Sequence, residues 1–107
     1  MRIRFKAWAR PELESSTFYR DNPEELKGKW KEEFKNKEKP IYLELGCGKG
    51  QFISKTAIQN PGINFIAIDL VDAMLGLAKR SVEDAYKEEN KETDHILLTR
   101  FDIQRID

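Results

Sequence analysis

The sequence predicts an α/β fold in which three parallel strands alternate with flanking helices, preceded by a basic N-terminal arm, and three observations predict it. An apolar run at Ile41–Leu45 passes through a glycine-rich turn directly into a helical pattern. A second, near-continuous apolar run at residues 64–70 is of the kind found where helices cover both faces of a parallel sheet. Between them and a third apolar run at 95–99, the residues Val71, Met74, Leu75, Ala78, Val82, Ala85 and Tyr86 keep the three-and-four spacing of a buried helix face.

Length and composition bound the rest. A chain of 107 residues makes one small domain at most, and 39% hydrophobic against 36% charged residues predicts a modest core. No apolar run approaches membrane-spanning length and the first residues do not form a signal peptide, so a cytoplasmic location is expected, with no membrane partner. The single cysteine, Cys47, excludes an internal disulfide and agrees with a reducing compartment. Nineteen basic side chains balance nineteen acidic ones, but unevenly: Arg2, Arg4, Lys6 and Arg10 fall in the first ten residues with no acid among them, while residues 83–94 are rich in acids. The basic end suits a polyanion and the acidic end repels one.

Residues 1–40 read as the basic arm and a helix, and 41–107 as the ligand-binding unit. The first twenty residues lack periodicity, and alternation of Arg2, Arg4 and Lys6 with Ile3 and Phe5 suggests an extended segment. There Trp8 either stacks on a base or docks on the domain. Asn22-Pro23-Glu24-Glu25 carries a cap, a first-turn proline and two acids, predicting a helix on which Leu26, Trp30 and Phe34 share a face; Gly28 weakens its middle. After the glycines a helix is expected over 51–59, burying Phe52, Ile53, Ala57 and Ile58 and stopped by Asn60-Pro61-Gly62. Asp72 is placed to cap the long helix that follows, with Lys79–Glu83 and Glu83–Lys87 as exposed pairs of small value. His95 lacks a companion ligand and Cys47 a partner base, so neither a metal site nor a catalytic thiol is predicted.

The chemistry concentrates at Glu44-Leu45-Gly46-Cys47-Gly48-Lys49-Gly50. Glycines let the backbone approach a ligand, and the helix start offers unpaired N–H groups to an anion. A pyrophosphate would meet repulsion from Glu44, and the spacing is Gly-x-Gly-x-Gly rather than the dinucleotide Gly-x-Gly-x-x-Gly. S-adenosylmethionine fits better: its carboxylate suits the turn and its ammonium suits Glu44. Asp69 lies nineteen residues past Gly50, near the interval at which a Rossmann-like unit brings an acid to ribose hydroxyls. Asp102, beyond the third strand, is a third acid at a strand's carboxyl end, able to accept from an adenine amino group.

The chain resembles the bacterial tRNA (guanine-N7)-methyltransferases. The resemblance runs through Arg2-x-Arg4-x-x-x-Trp8-Ala9, Asn22-Pro23, Lys27-Gly28-Lys29-Trp30, Glu44-x-Gly46-x-Gly48-Lys49-Gly50-Gln51-Phe52, Asn60-Pro61 and Asn64-Phe65-Ile66, nearly the whole sequence. It implies a partial Rossmann-like S-adenosylmethionine-dependent methyltransferase fold, with cofactor contacts at Glu44, Gly46, Gly48, Asp69 and Asp102, and tRNA contacts at Arg2, Arg4 and Lys6. Asp69 stands where the family commonly has glutamate, and Thr99-Arg100-Phe101 departs from its pattern. Family members continue through guanine-positioning motifs and more sheet. The resemblance therefore implies the N-terminal, cofactor-binding half, with no catalytic residue of its own and little activity alone. It also implies a first strand whose outer edge is unpaired, open to self-association or to a missing C-terminal half. Two other classes share parts of this pattern: a nucleotide-cofactor oxidoreductase fragment would use the same strand-turn-helix, and a noncatalytic RNA-binding module would use only the arm.

Overall fold

The computed structural model describes residues 6–21, 23–26, 28–46 and 50–100. Arg2, Arg4, Gly48 and Asp102, with Asn22, Cys47 and Lys49, lie outside them.

Helix α1 (Ala9–Glu14) leads to a two-residue strand β1 (Tyr19–Arg20), then two 3₁₀ turns at Pro23–Leu26 and Trp30–Glu33. An alternation of strands and helices follows as β2 (Ile41–Leu45), α2 (Gln51–Gln59), β3 (Asn64–Asp69), α3 (Asp72–Glu88) and β4 (Ile96–Arg100). All strand pairs are parallel, in the order β1-β4-β3-β2. The predicted parallel sheet with flanking helices is present, with β1 as a fourth strand.

Two β-helix-β crossovers step the same way along the sheet, from β2 to β3 to β4. Right-handed connection puts both helices on one face, and α2 and α3 do pack together. Strand β3, between β2 and β4, is buried from Asn64 through Ile68, which explains its unbroken apolar sequence. The core gathers Phe65, Ile66 and Ile68 with Leu75, Val82 and Tyr86 of α3 and Ile96 to Leu98 of β4. His95 is buried beside it: its Nδ1 lies 2.9 Å from the Ile63 carbonyl, which can only accept, so Nδ1 carries the proton and Nε2 accepts from the Tyr86 hydroxyl at 2.8 Å.

The first forty residues differ most from expectation. Residues 9–20 are not an extended arm: Leu13 of α1 is fully buried, and β1 pairs with β4, where the Phe18 carbonyl accepts from the Leu98 amide at 2.8 Å. The helix expected from Pro23 to Phe34 is two single 3₁₀ turns. Gly28 between them has φ +77°, a left-handed conformation that ends a helix. Trp30 and Phe34 nevertheless pack against the core, so the apolar stripe reports burial but not helix.

Trp8 docks on the domain. Its ring edge lies against Gly76 of α3, where a Cβ would come within 2.9 Å of it, and the Arg80 guanidinium sits 3.5 Å from the ring centroid. Arg80 also binds Glu12 of α1 through both Nε (2.9 Å) and Nη2 (2.8 Å). Lys79, expected on an exposed pair, is 8% exposed and bridges Glu12 at 3.3 Å and Glu83 at 2.7 Å. This clasp holds α1 to α3 and brings Lys6 to the carboxyl ends of the strands.

Candidate functional site

In open parallel sheets ligands bind outside the carboxyl ends of the strands. The described site residues, Glu44, Gly46, Asp69 and Lys6, lie at that end. Glu44 of β2 is in register with Ala67, and Asp69 is two residues further along β3. Side chains two apart share a face, so the two carboxylates face the same way from adjacent strands, with backbones about 8 Å apart from strand spacing and rise.

Glu44 is partly buried. Its Oε2 is enclosed without a hydrogen-bond donor, and burial raises its pKa above the usual carboxylate range. A carboxylate in this state favours a cationic, donating partner, and none is present among the described residues. Gly46 follows with φ +73°, its amide donating to the Ile68 carbonyl at 2.8 Å, and a Cβ there would meet nothing within 4 Å.

Gly50 does something else. It also has a left-handed φ of +79°, but it is buried, and an added Cβ would lie 2.6 Å from the Ala78 Cα of α3. Its absent side chain lets the start of α2 pack on α3.

Asp69 is half-buried at the end of β3 and its Oδ1 accepts from the Val71 amide at 3.1 Å. Asp72 is not the cap of α3. It is the first helical residue after Val71, and pairs with Arg10 (Oδ2 to Nε, 3.2 Å) and Arg100 (Oδ1 to Nε, 3.4 Å). Phe52, expected in the core, is 60% exposed, and Ser54 is buried in the same helix, its hydroxyl donating to the Gly50 carbonyl at 2.6 Å. Exposed Leu70 and Val71 add apolar surface beside Asp69. Sequence reading missed Arg10, Arg100 and Asp72 as a group, because they come from three elements far apart in the chain. Among the described residues no group of three or more His, Cys, Asp or Glu side chains could hold a metal ion, and no helix is long and apolar enough to cross a membrane.

A parallel sheet with an acid before a glycine and a second acid at the next strand's end is the arrangement of an open α/β fold with its candidate site at the strands' carboxyl ends. The family described as putative methyltransferases matches residues 38–105, more than half of the chain, and the chain belongs to that family. Among curated proteins it is similar to the tRNA (guanine-N(7)-)-methyltransferase of Clostridium beijerinckii, 59% identical over 96% of this chain and 47% of that protein. The protein of the same name from Clostridium perfringens is 57% identical over all of this chain and 49% of its own length, and that from Acetivibrio thermocellus is 51% identical over 99% and 48%. The chain thus spans about half the length of the curated relatives it matches.

Proposed function

We propose that this chain is the cofactor-binding portion of an enzyme that transfers a methyl group from S-adenosylmethionine to nitrogen 7 of a guanine in tRNA. The observation that carries the choice of cofactor is the enclosed, donor-less Glu44 Oε2 beside the open Gly46 turn. A ligand bearing an ammonium and a carboxylate satisfies both; a pyrophosphate satisfies only the turn. The choice of substrate rests on the relatives' names and the basic residues at the site end of the sheet.

In this reading Glu44 holds the methionine ammonium, the Gly46 and Gly48 backbone admits the methionine part, Asp69 receives the ribose hydroxyls, and Asp102 accepts from the adenine. When bound, S-adenosylmethionine supplies an electrophilic sulfonium methyl group. Guanine nitrogen 7 already carries a free lone pair, so no strong base is required of this chain. Its residues contribute alignment and exclusion of water. Residues 41–107 carry the cofactor contacts, and Arg2, Arg4 and Lys6 of the N-terminal segment contact tRNA phosphates. The open outer edge of β2, with Tyr42, Leu43 and Leu45 each about half exposed, pairs with further strands, from a second copy when the chain is alone.

Competitive calorimetry with S-adenosylmethionine and NAD tests the reading. S-adenosylmethionine is expected to bind and to resist displacement by NAD. A folded sample that ignores S-adenosylmethionine but takes up NAD overturns it in favour of an oxidoreductase fragment.

A further inference from the structure

A second site lies on the opposite side of β3 from the glycine turn. A cleft of about 170 Å³ is enclosed by Lys6 and Arg10 of the N-terminal segment, the loop and helix start from Leu70 to Ala73, and Arg100 at the end of β4. Three cations face it against one acid on its lining, Asp72. Arg10 is committed, to Asp72 at 3.2 Å and to Asp21 behind it. Arg100 uses only Nε, toward Asp72 at 3.4 Å and the Leu70 carbonyl at 3.2 Å, so its two terminal nitrogens have no partner among the described residues. Lys6 likewise has no ion pair among the described residues. An arrangement serving only to fasten the N-terminal segment to the sheet would match cations with acids. Among the described residues one acid braces two arginines, and three cations line the cleft against that one acid.

We propose that this cleft binds a phosphodiester group of the RNA backbone, held by Lys6 and the terminal nitrogens of Arg100 with Arg10 supporting the field. Arginine's planar fork suits phosphate oxygens, and a lysine adds a point charge. The volume is roughly that of five or six waters, enough for the five heavy atoms of a phosphate group. Because the cleft opens beside Asp69 on the β4 side, an RNA strand seated there would be registered against the proposed cofactor site without competing for the Glu44–Gly46 turn. The inference rests on the reading of the substrate as tRNA, and assigns its backbone a specific seat.

The test uses this chain, the single variant Lys6→Gln, which breaks no described ion pair, and the double variant Lys6→Gln with Arg100→Gln, each checked for folding by circular dichroism. Binding to unmodified tRNA is followed by fluorescence anisotropy from low to moderate salt. S-adenosylmethionine is titrated into the same samples. A phosphate contact contributes about 0.7 to 0.9 to the slope of log affinity against log salt. The double variant is expected to lose roughly one such unit and the single variant part of it, with S-adenosylmethionine binding unchanged. Folded variants with the wild-type slope overturn the proposal. So does inorganic phosphate binding that is lost in the variants while tRNA binding stays intact, which would mark a small-anion site. If the wild-type chain binds S-adenosylmethionine but no tRNA, the seat is wrong and the cofactor reading stands; if it binds neither, both fall.

Discussion

Glu44, proposed to hold the cofactor's ammonium, opposes the fold that carries it. Burial raises its pKa, so the folded chain holds that proton more tightly than the unfolded chain. For this group, stability is greatest below the ordinary carboxylate pKa and declines as pH rises through the raised folded value, leaving the ionised form a burden at neutral pH. Glu44→Gln should therefore raise the melting temperature at pH 7 while weakening S-adenosylmethionine roughly 10- to 100-fold, the worth of a charged hydrogen bond of about 1.5–3 kcal/mol. Calorimetry paired with thermal melts reads both; a variant that loses stability and keeps affinity contradicts the assignment. The glycines divide in a similar test. Gly50→Ala combines a left-handed φ with a 2.6 Å approach to the Ala78 backbone and should cost about 2–5 kcal/mol in denaturant unfolding. Gly46→Ala, with open space above it, should cost only the conformational share of about 1–2 kcal/mol. The motif spacing reveals that glycines are needed, but not which of them packs against a helix and which has open space beside it.

At the scale of elements, the polar part of the docking of α1 on α3 centres on one carboxylate. Glu12 accepts from Arg80 and Lys79, and these contacts hold its pKa down to about 2, the Arg80 hydrogen bond contributing most. A depressed pKa gives stability that is fully present above the ordinary glutamate value of 4.5 and is lost as pH falls toward 2. Glu12→Gln should cost about 1–2 kcal/mol at pH 7, between an exposed and a buried ion pair, and the gap from wild type should close in melts approaching pH 2. Gly76→Ala tests the same contact from the other side. Alanine gains about 1 kcal/mol of helix propensity, yet its methyl group would sit 2.9 Å from Trp8 and 3.0 Å from the Ala9 methyl. Net destabilisation and a shifted tryptophan emission are expected. The sequence disclosed α3 because its stripe runs over many turns. It concealed α1 and β1, which have six and two residues and carry too little periodicity to be read.

Across the whole molecule, the two sheet edges are treated differently. On the β4 side β1 adds a short parallel strand; on the other side β2 presents Tyr42, Leu43 and Leu45 at 43%, 48% and 51% exposure. An apolar strand edge of this kind recruits another strand. Sedimentation across a concentration series should show self-association of the chain alone, reduced by Leu43→Lys. A strictly monomeric wild-type chain would count against the open edge as a pairing surface. The same view explains why Phe52 was misjudged, since helix phase alone puts it among apolar neighbours whereas its side of α2 has no described element over it.

The sequence by itself determined the alternation of strands and helices, the parallel sheet, and the glycine turn with its flanking acids. Each is a local pattern, set by periodicity or by the backbone freedom that only glycine has. Tertiary structure decided what those patterns meet. It placed Gly50 against α3, enclosed Glu44 Oε2 without a donor among the described residues, fastened residues 8–14 onto α3 through Trp8 and Glu12, and gathered Lys6, Arg10, Asp72 and Arg100 around one cleft. Such contacts join residues far apart in the chain, and their energies depend on burial and partners that exist only once the sheet has formed.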